Sequence, residues 1–123
     1  MAYEHTGTRH SKPAGVDLSL KQYHFAKDDG TGQYVTAGDG DVVSGALIND
    51  PEQGQMATIQ SNDEVLVVAG AALSIGDVVA SDANGQAKLA GSGDHPAGQV
   101  QIASGGAGEV ITVKLEIGLT PLA

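Results

Sequence analysis

Residues Glu109-Val110-Ile111-Thr112-Val113-Lys114-Leu115-Glu116-Ile117 put Ile111, Val113, Leu115 and Ile117 on one parity and Thr112, Lys114 and Glu116 on the other. A period of two with β-branched residues on the apolar side is the signature of a half-buried strand. Working back along the chain, Val65-Leu66-Val67-Val68-Ala69 is continuous and β-branched, the pattern of a strand buried on both faces or lying across a closed barrel. Between these two runs stand Val78-Val79-Ala80, the turn Asp82-Ala83-Asn84-Gly85, the return Gln86-Ala87-Lys88-Leu89-Ala90, and Gly98 to Ala103. Further upstream, Met56 to Gln60 alternates, Val42 to Ile48 is an apolar strand interrupted by Gly45, and Tyr34-Val35 lies between the Asp/Gly clusters at 28–32 and 38–41. Val16, Leu18 and Leu20 share a parity that passes to Tyr23 and Phe25, which reads as a strand with a bulge near Lys21 and Gln22.

No stretch carries a sustained helical period, and short strands at such spacing predict an all-β sandwich or barrel. Residues 1–15 are polar, contain Pro13 and Gly15, and show neither period, so they read as a flexible N-terminal arm. They also lack the apolar run of a secretory signal, and the mature product is expected to start at Met1. The body is then one β-rich domain over residues 16–123.

Charge and composition narrow the function. Residues 1–27 hold four Lys/Arg against two carboxylates, net +2, whereas the rest holds two lysines against thirteen carboxylates, net −11. An acidic body is a poor partner for nucleic acid, whose binding rests on clustered cations releasing counterions. The longest apolar run, Val65 through Leu73, is too short for the roughly 20 residues of a spanning helix. There is no cysteine to supply a disulfide or a thiolate site, and the four aromatic residues all lie at or before Tyr34, so a core of small aliphatic side chains must hold the fold. Such a marginal core favours assembly with copies of itself or with a host surface.

Searches for chemistry find little. Gly30-Thr31-Gly32 and Gly38-Asp39-Gly40 lack the third glycine and the Gly-Lys pair of a nucleotide loop. Asp39 and Asp41, with Asp28 and Asp29, could offer oxygens to Ca2+, but the calcium-loop pattern would need a ligand at Val43, a glycine at Ser44 and a glutamate at Asp50. His5, His10, His24 and His95 do not have zinc-site spacing, and Ser44, Ser92 and Ser104 lack the flanks of a nucleophile elbow. Lys88 resembles the lysine of a lipoyl or biotinyl carrier, except that it stands inside the returning strand and not at the turn, where it reads as a solvated side chain. No cofactor, no metal and no catalytic machinery are expected.

The succession Val65 to Gly70, Ala71 to Ala80, Gly85 to Ala90, Ala97 to Ala103 and Gly108 to Leu115 resembles the small head decoration, or capsid cement, proteins of tailed bacteriophages. That resemblance implies a β-barrel, β-tulip-like or sandwich body, often a homotrimer. It would sit on the outer capsid surface of the virion, bridging subunits of the major capsid protein. In the arm, Tyr3, His5, Arg9, His10 and Lys12 are the candidate capsid-binding residues, because aromatic and Arg side chains commonly anchor interfaces. The alternative is a ligand- or carbohydrate-binding β module, against which stands the absence of any aromatic side chain after Tyr34.

Overall fold

The alternating run around Val113 is the strand β10 (Val110–Leu115), an interior strand of the chain's second sheet, paired on both sides. A computed structural model describes residues 2–5 and 7–123; Met1 and Thr6 of the expected arm lie outside the described residues. Among the described residues there is no helix. The other strands are β1 (Arg9–Pro13), β2 (Phe25–Asp28), β3 (Tyr34–Thr36), β4 (Gly45–Leu47), β5 (Met56–Gln60), β6 (Asp63–Val68), β7 (Val78–Ser81), β8 (Ala87–Leu89) and β9 (Gly98–Val100). They form two antiparallel five-stranded sheets, ordered β1-β5-β4-β2-β3 and β6-β10-β9-β7-β8. Neither sheet closes into a barrel, so of the expected alternatives the sandwich-like arrangement is the one adopted.

The second sheet repeats the first strand by strand. Ala26 pairs with Thr36 and Asp28 with Tyr34, as Val79 pairs with Leu89 and Ser81 with Ala87, each position displaced by about 53 residues. Likewise Phe25 pairs with Ala46 as Val78 pairs with Gln99, and Pro13 with Met56 as Val68 with Val110. Each sheet curls until the end of its first strand makes one parallel bridge to its last, Ala14 to Tyr34 and Ala69 to Ala87. Gly45 and Gly98 mark the same close approach, since a Cβ at either would run into a backbone carbonyl, that of Gln60 or of Lys114. The duplication is also written in the side chains: Ala14-Gly15-Val16-Asp17-Leu18-Ser19-Leu20 answers to Ala69-Gly70-Ala71-Ala72-Leu73-Ser74-Ile75. Asp29, Gly32, Gln33, Ala37, Gly38, Gly40 and Asp41 recur as Asp82, Gly85, Gln86, Ala90, Gly91, Gly93 and Asp94.

Each unit has its own core. In the first, Leu18, Ala26, Leu47, Ala57 and Ile59 are buried together with Ala14 and Tyr34. Their counterparts Leu73, Val79, Val100, Ile111, Val113, Ala69 and Ala87 line the second, and there Phe25, Ala37, Val43 and Ala46 of the first unit join the same cluster. The units are thus joined by inserting the outward face of the first sheet into the curl of the second. Phe25, fully buried, is the largest side chain delivered, and backbone bonds from Phe25 N–H to Gly85 C=O and from Val68 N–H to Tyr23 C=O fix the approach.

Three expectations change. Val16 to Leu20 is not a strand: Leu18 alone is buried while Val16 and Leu20 are exposed, because this segment is the strap that bonds Leu18 N–H to Pro51 C=O across the open side of the sheet. Residues 9–13, expected as part of a flexible arm, form the edge strand β1 along β5. Backbone pairing asks for no apolar period, and all of β1 except Lys12 is exposed. Finally, Val65 to Val68 alternates after all, with Val65 and Val67 buried and Leu66 and Val68 half-buried on the outer side.

Candidate functional site

The five expected docking residues lie on one ordered path but do not form one surface. Residues 2–5 cross from the first unit onto the outer side of the second: Tyr3 N–H donates to Thr112 Oγ1 at 2.7 Å, and His5 N–H donates to Glu64 C=O at 3.0 Å. The buried Gln60 amide donates to His5 C=O at 2.6 Å and so ties this segment down. The Tyr3 ring is 5.6 Å from the His5 ring and 42% of the residue is exposed. A hydrogen bond to Glu64 pushes the Tyr3 phenol above its ordinary pKa. His5 Nδ1 is 2.8 Å from Glu64 and 3.8 Å from Asp63, the one cluster among the described residues with the spacing of metal ligands. It is open to solvent at His5 and Asp63, and the contacts of His5 Nδ1 with the two carboxylates account for each member.

Beyond it, β1 splits the other three by parity. Arg9 lies 3.4 Å from Gln60 Oε1 and 4.0 Å from Glu4. His10 and Lys12 project to the opposite side, in register with Ile59 and Ala57. There Lys12 Nζ pairs with Asp28 at 2.7 Å and stands 5.3 Å over the Tyr34 ring, capping the mouth of the first unit's core. That pairing raises the Lys12 pKa and holds Asp28 below the usual carboxylate range.

The aspartates considered for Ca2+ do not converge. Asp41 pairs with Lys27 at 2.5 Å and accepts the Gly38 N–H at 2.8 Å, Asp39 pairs with Lys88 at 2.5 Å, and Asp29 accepts from Thr31. A lysine already supplies the counter-charge that a cation would. Lys88, read from sequence as a solvated side chain, instead bridges the units, holding Asp39 of the first and, at 3.1 Å, Asp94 of the second. Ser104 is buried, its hydroxyl 2.6 Å from Gly106 C=O and 3.1 Å from Ala71 C=O, a loop-bracing position.

One open feature was not legible beforehand. A cleft of about 270 Å3 is lined by Val78, Pro96, Gly98, Gln99, Glu116 and Leu122. Pro96 and Gln99 occupy the repeat positions of Val43 and Ala46, and Val78 that of Phe25, so the cleft lies on the face that the first unit uses to join the second. The signal was the repeat itself, visible in Asp29-to-Asp41 against Asp82-to-Asp94 once the two are aligned.

No protein-family model matches the chain, and no curated protein matches it in sequence. Among solved structures it is similar to the N base of head fiber gp8.5 in bacteriophage phi29, with a TM-score of 0.73 at 14% identity. The likeness covers 92% of this chain and 98% of that one. The chain therefore has the fold of a phage head-fiber base, both of its five-stranded units included.

Proposed function

We propose that this chain is a non-enzymatic structural protein of a phage virion, bound to the outer capsid surface through the major capsid protein and stabilising the shell by bridging its subunits. The observation that carries this reading is the likeness over almost the whole length of both chains to the base of a phage head fiber. The resemblance of the segments between Val65 and Leu115 to capsid decoration proteins supports it independently from sequence. Adhesion needs no cofactor, and the acidic body favours a protein partner over nucleic acid. A carbohydrate-binding module has less support, because Phe25 and Tyr34 are buried, which leaves Tyr3 and Tyr23 as the accessible aromatic rings.

The capsid contact is assigned to the side of the N-terminal segment carrying Tyr3, His5 and Arg9, where a phenol and an imidazole lie over the second unit and a guanidinium stands beside Gln60 of the first. His10 and Lys12, on the opposite side of β1, would contribute from the edge. Co-sedimentation with expanded capsids lacking the protein tests the reading. Saturable binding at a fixed copy number, with greater heat resistance of the shell, is expected, and the triple variant Tyr3→Ala/His5→Ala/Arg9→Ala should lower occupancy at least tenfold while remaining folded. Failure to bind any phage capsid would overturn the function, and full occupancy by the triple variant would overturn the assigned surface.

A further inference from the structure

We infer that Asn84 is a site of spontaneous covalent modification guarded by the junction between the two units, so that a chain whose units have parted is chemically marked and cannot rejoin them. Of the three asparagines, Asn49 and Asn62 precede aspartate and only Asn84 precedes glycine. The chemistry needs no enzyme. The Gly85 amide nitrogen attacks Asn84 Cγ and loses its proton, the Cγ–Nδ2 bond breaks, and ammonia leaves behind a five-membered imide. Water then opens the ring at Cγ, giving aspartate, or at the main-chain carbonyl carbon, giving isoaspartate, in which Cβ and Cγ carry the main chain and a carboxylate hangs from Cα. Glycine in the following position favours the attack, because no side chain shields the nitrogen.

Asn84 is exposed, yet every group that the reaction must move is held. Gly85 N–H, the nucleophile, donates to Asp82 C=O at 3.1 Å, and Asp82 Oδ1 accepts from Asn84 N–H at 2.8 Å and from Gln86 N–H at 2.9 Å. Asp82 N–H donates to Gln86 C=O and closes the turn, with Gly85 at φ +78°. The rest of the clamp comes from the first unit. Phe25 N–H donates to Gly85 C=O at 2.7 Å, and Lys21 Nζ reaches Asn84 C=O at 3.4 Å. Gly85 is buried, and a Cβ there would lie 2.8 Å from Thr36 Cγ2 and 2.9 Å from Phe25 C=O. Rotating the Asn84–Gly85 peptide to close the imide therefore requires the first unit to lift away. The equivalent turn of the first unit reads Thr31-Gly32, where Gly32 meets nothing and the modifiable amide is missing.

Isoaspartate does not fit back under this clamp. One additional main-chain bond moves Gly85 C=O off Phe25 N–H and drives the turn into Thr36, and the new carboxylate stands close to Asp82 where the amide was neutral. Aspartate keeps the backbone length and changes the charge alone.

The test uses the full chain by itself and is independent of capsid binding. In mildly alkaline buffer the folded protein should lose the Asn84 amide at least about tenfold more slowly than the same protein in urea, since protection follows the free energy of local opening. Peptide mass spectrometry over residues 65–109, which contain no other asparagine, reads the loss. Phe25→Leu should speed it in buffer, whereas Ile59→Val, in the first unit's own core, should leave it unchanged. After conversion in urea and return to buffer, the isoaspartyl fraction, identified with an isoaspartyl methyltransferase, should unfold at lower urea than Asn84→Asp, which should match the wild type. An amide lost no faster in urea than in buffer, acceleration by Ile59→Val as large as by Phe25→Leu, or an isoaspartyl fraction with the midpoint of Asn84→Asp would each overturn the assignment.

Discussion

Residues 9–60 and 63–115 follow one plan, yet their cores are filled by opposite means. The first unit closes its own mouth with Tyr34 under the Lys12–Asp28 pair. In the second, Ala87, Val65 and Val67 stand at the same positions, and the space is filled by Phe25 from its neighbour. One scaffold thus becomes self-sufficient or dependent according to three or four side chains.

The comparison breaks most sharply at Phe25. Truncating a fully buried aromatic side chain removes its contacts and leaves a cavity, so Phe25→Ala should destabilise by about 3–5 kcal/mol in urea unfolding. Its repeat partner is exposed, and Val78→Ala should change the midpoint by less than about 0.5 kcal/mol. Equal losses would mean that the two faces are not used differently.

A smaller contrast lies in the backbone. Tyr23 has φ +64° where its counterpart Gly76 has +92°, and both donate their N–H to the β4 or β9 strand, to Leu47 and Val100. Side chains with a Cβ disfavour this region by about 1–2 kcal/mol. Gly76→Ala should therefore lower stability by about 1 kcal/mol, whereas Tyr23→Gly should be close to neutral, relief of strain offsetting the lost packing and the added freedom of the unfolded chain. A large loss on Tyr23→Gly would assign the aromatic ring, and not the backbone, the main role at the junction.

The two units should converge again in acid. Lys27 and the Gly38 amide hold Asp41 below its ordinary value of 3.8, and the Gly91 amide and Lys88 do the same for Asp94. A carboxyl depressed by folding contributes stability that is complete above its unfolded value and is lost as pH falls through the folded one. The carboxylate contribution should accordingly hold from neutral pH to about 4 and then drop. Asp41→Asn and Asp94→Asn should each lower the plateau and flatten the acid limb by similar amounts. The least effect is expected at His24, whose pKa burial pushes down from 6.5. Its contribution is present above that value and fades as pH falls, which a ring-proton titration would locate and which the corresponding Asp77 cannot share.

Sequence alone was enough wherever a strand buries one face and the turn beside it needs glycine. Met56–Gln60, Val65–Val68 and Val110–Leu115 were readable from their β-branched residues, and the Asn84-Gly85 turn from its chemistry, because these signals are local. β1 was not readable, since the edge strand is held by backbone pairing to β5 and Arg9-His10-Ser11-Lys12-Pro13 shows no apolar period. Val16 to Leu20 misled for the converse reason: its spacing imitates a strand, but Leu18 alone meets a core. The candidate docking residues were nameable by type, while their partners, Glu64 for His5 and Asp28 for Lys12, come from strands distant in the chain.

What the sequence determined by itself is therefore the all-β class, the acidic body and the poverty in aromatic residues, all of which follow from composition and short-range pattern. What only the tertiary structure decided is which unit receives Phe25, which face of β7 remains uncovered, and which lysine answers each aspartate. Those outcomes depend on how two copies of the same curled sheet meet, and contacts between residues some fifty positions apart leave no period in the chain that joins them.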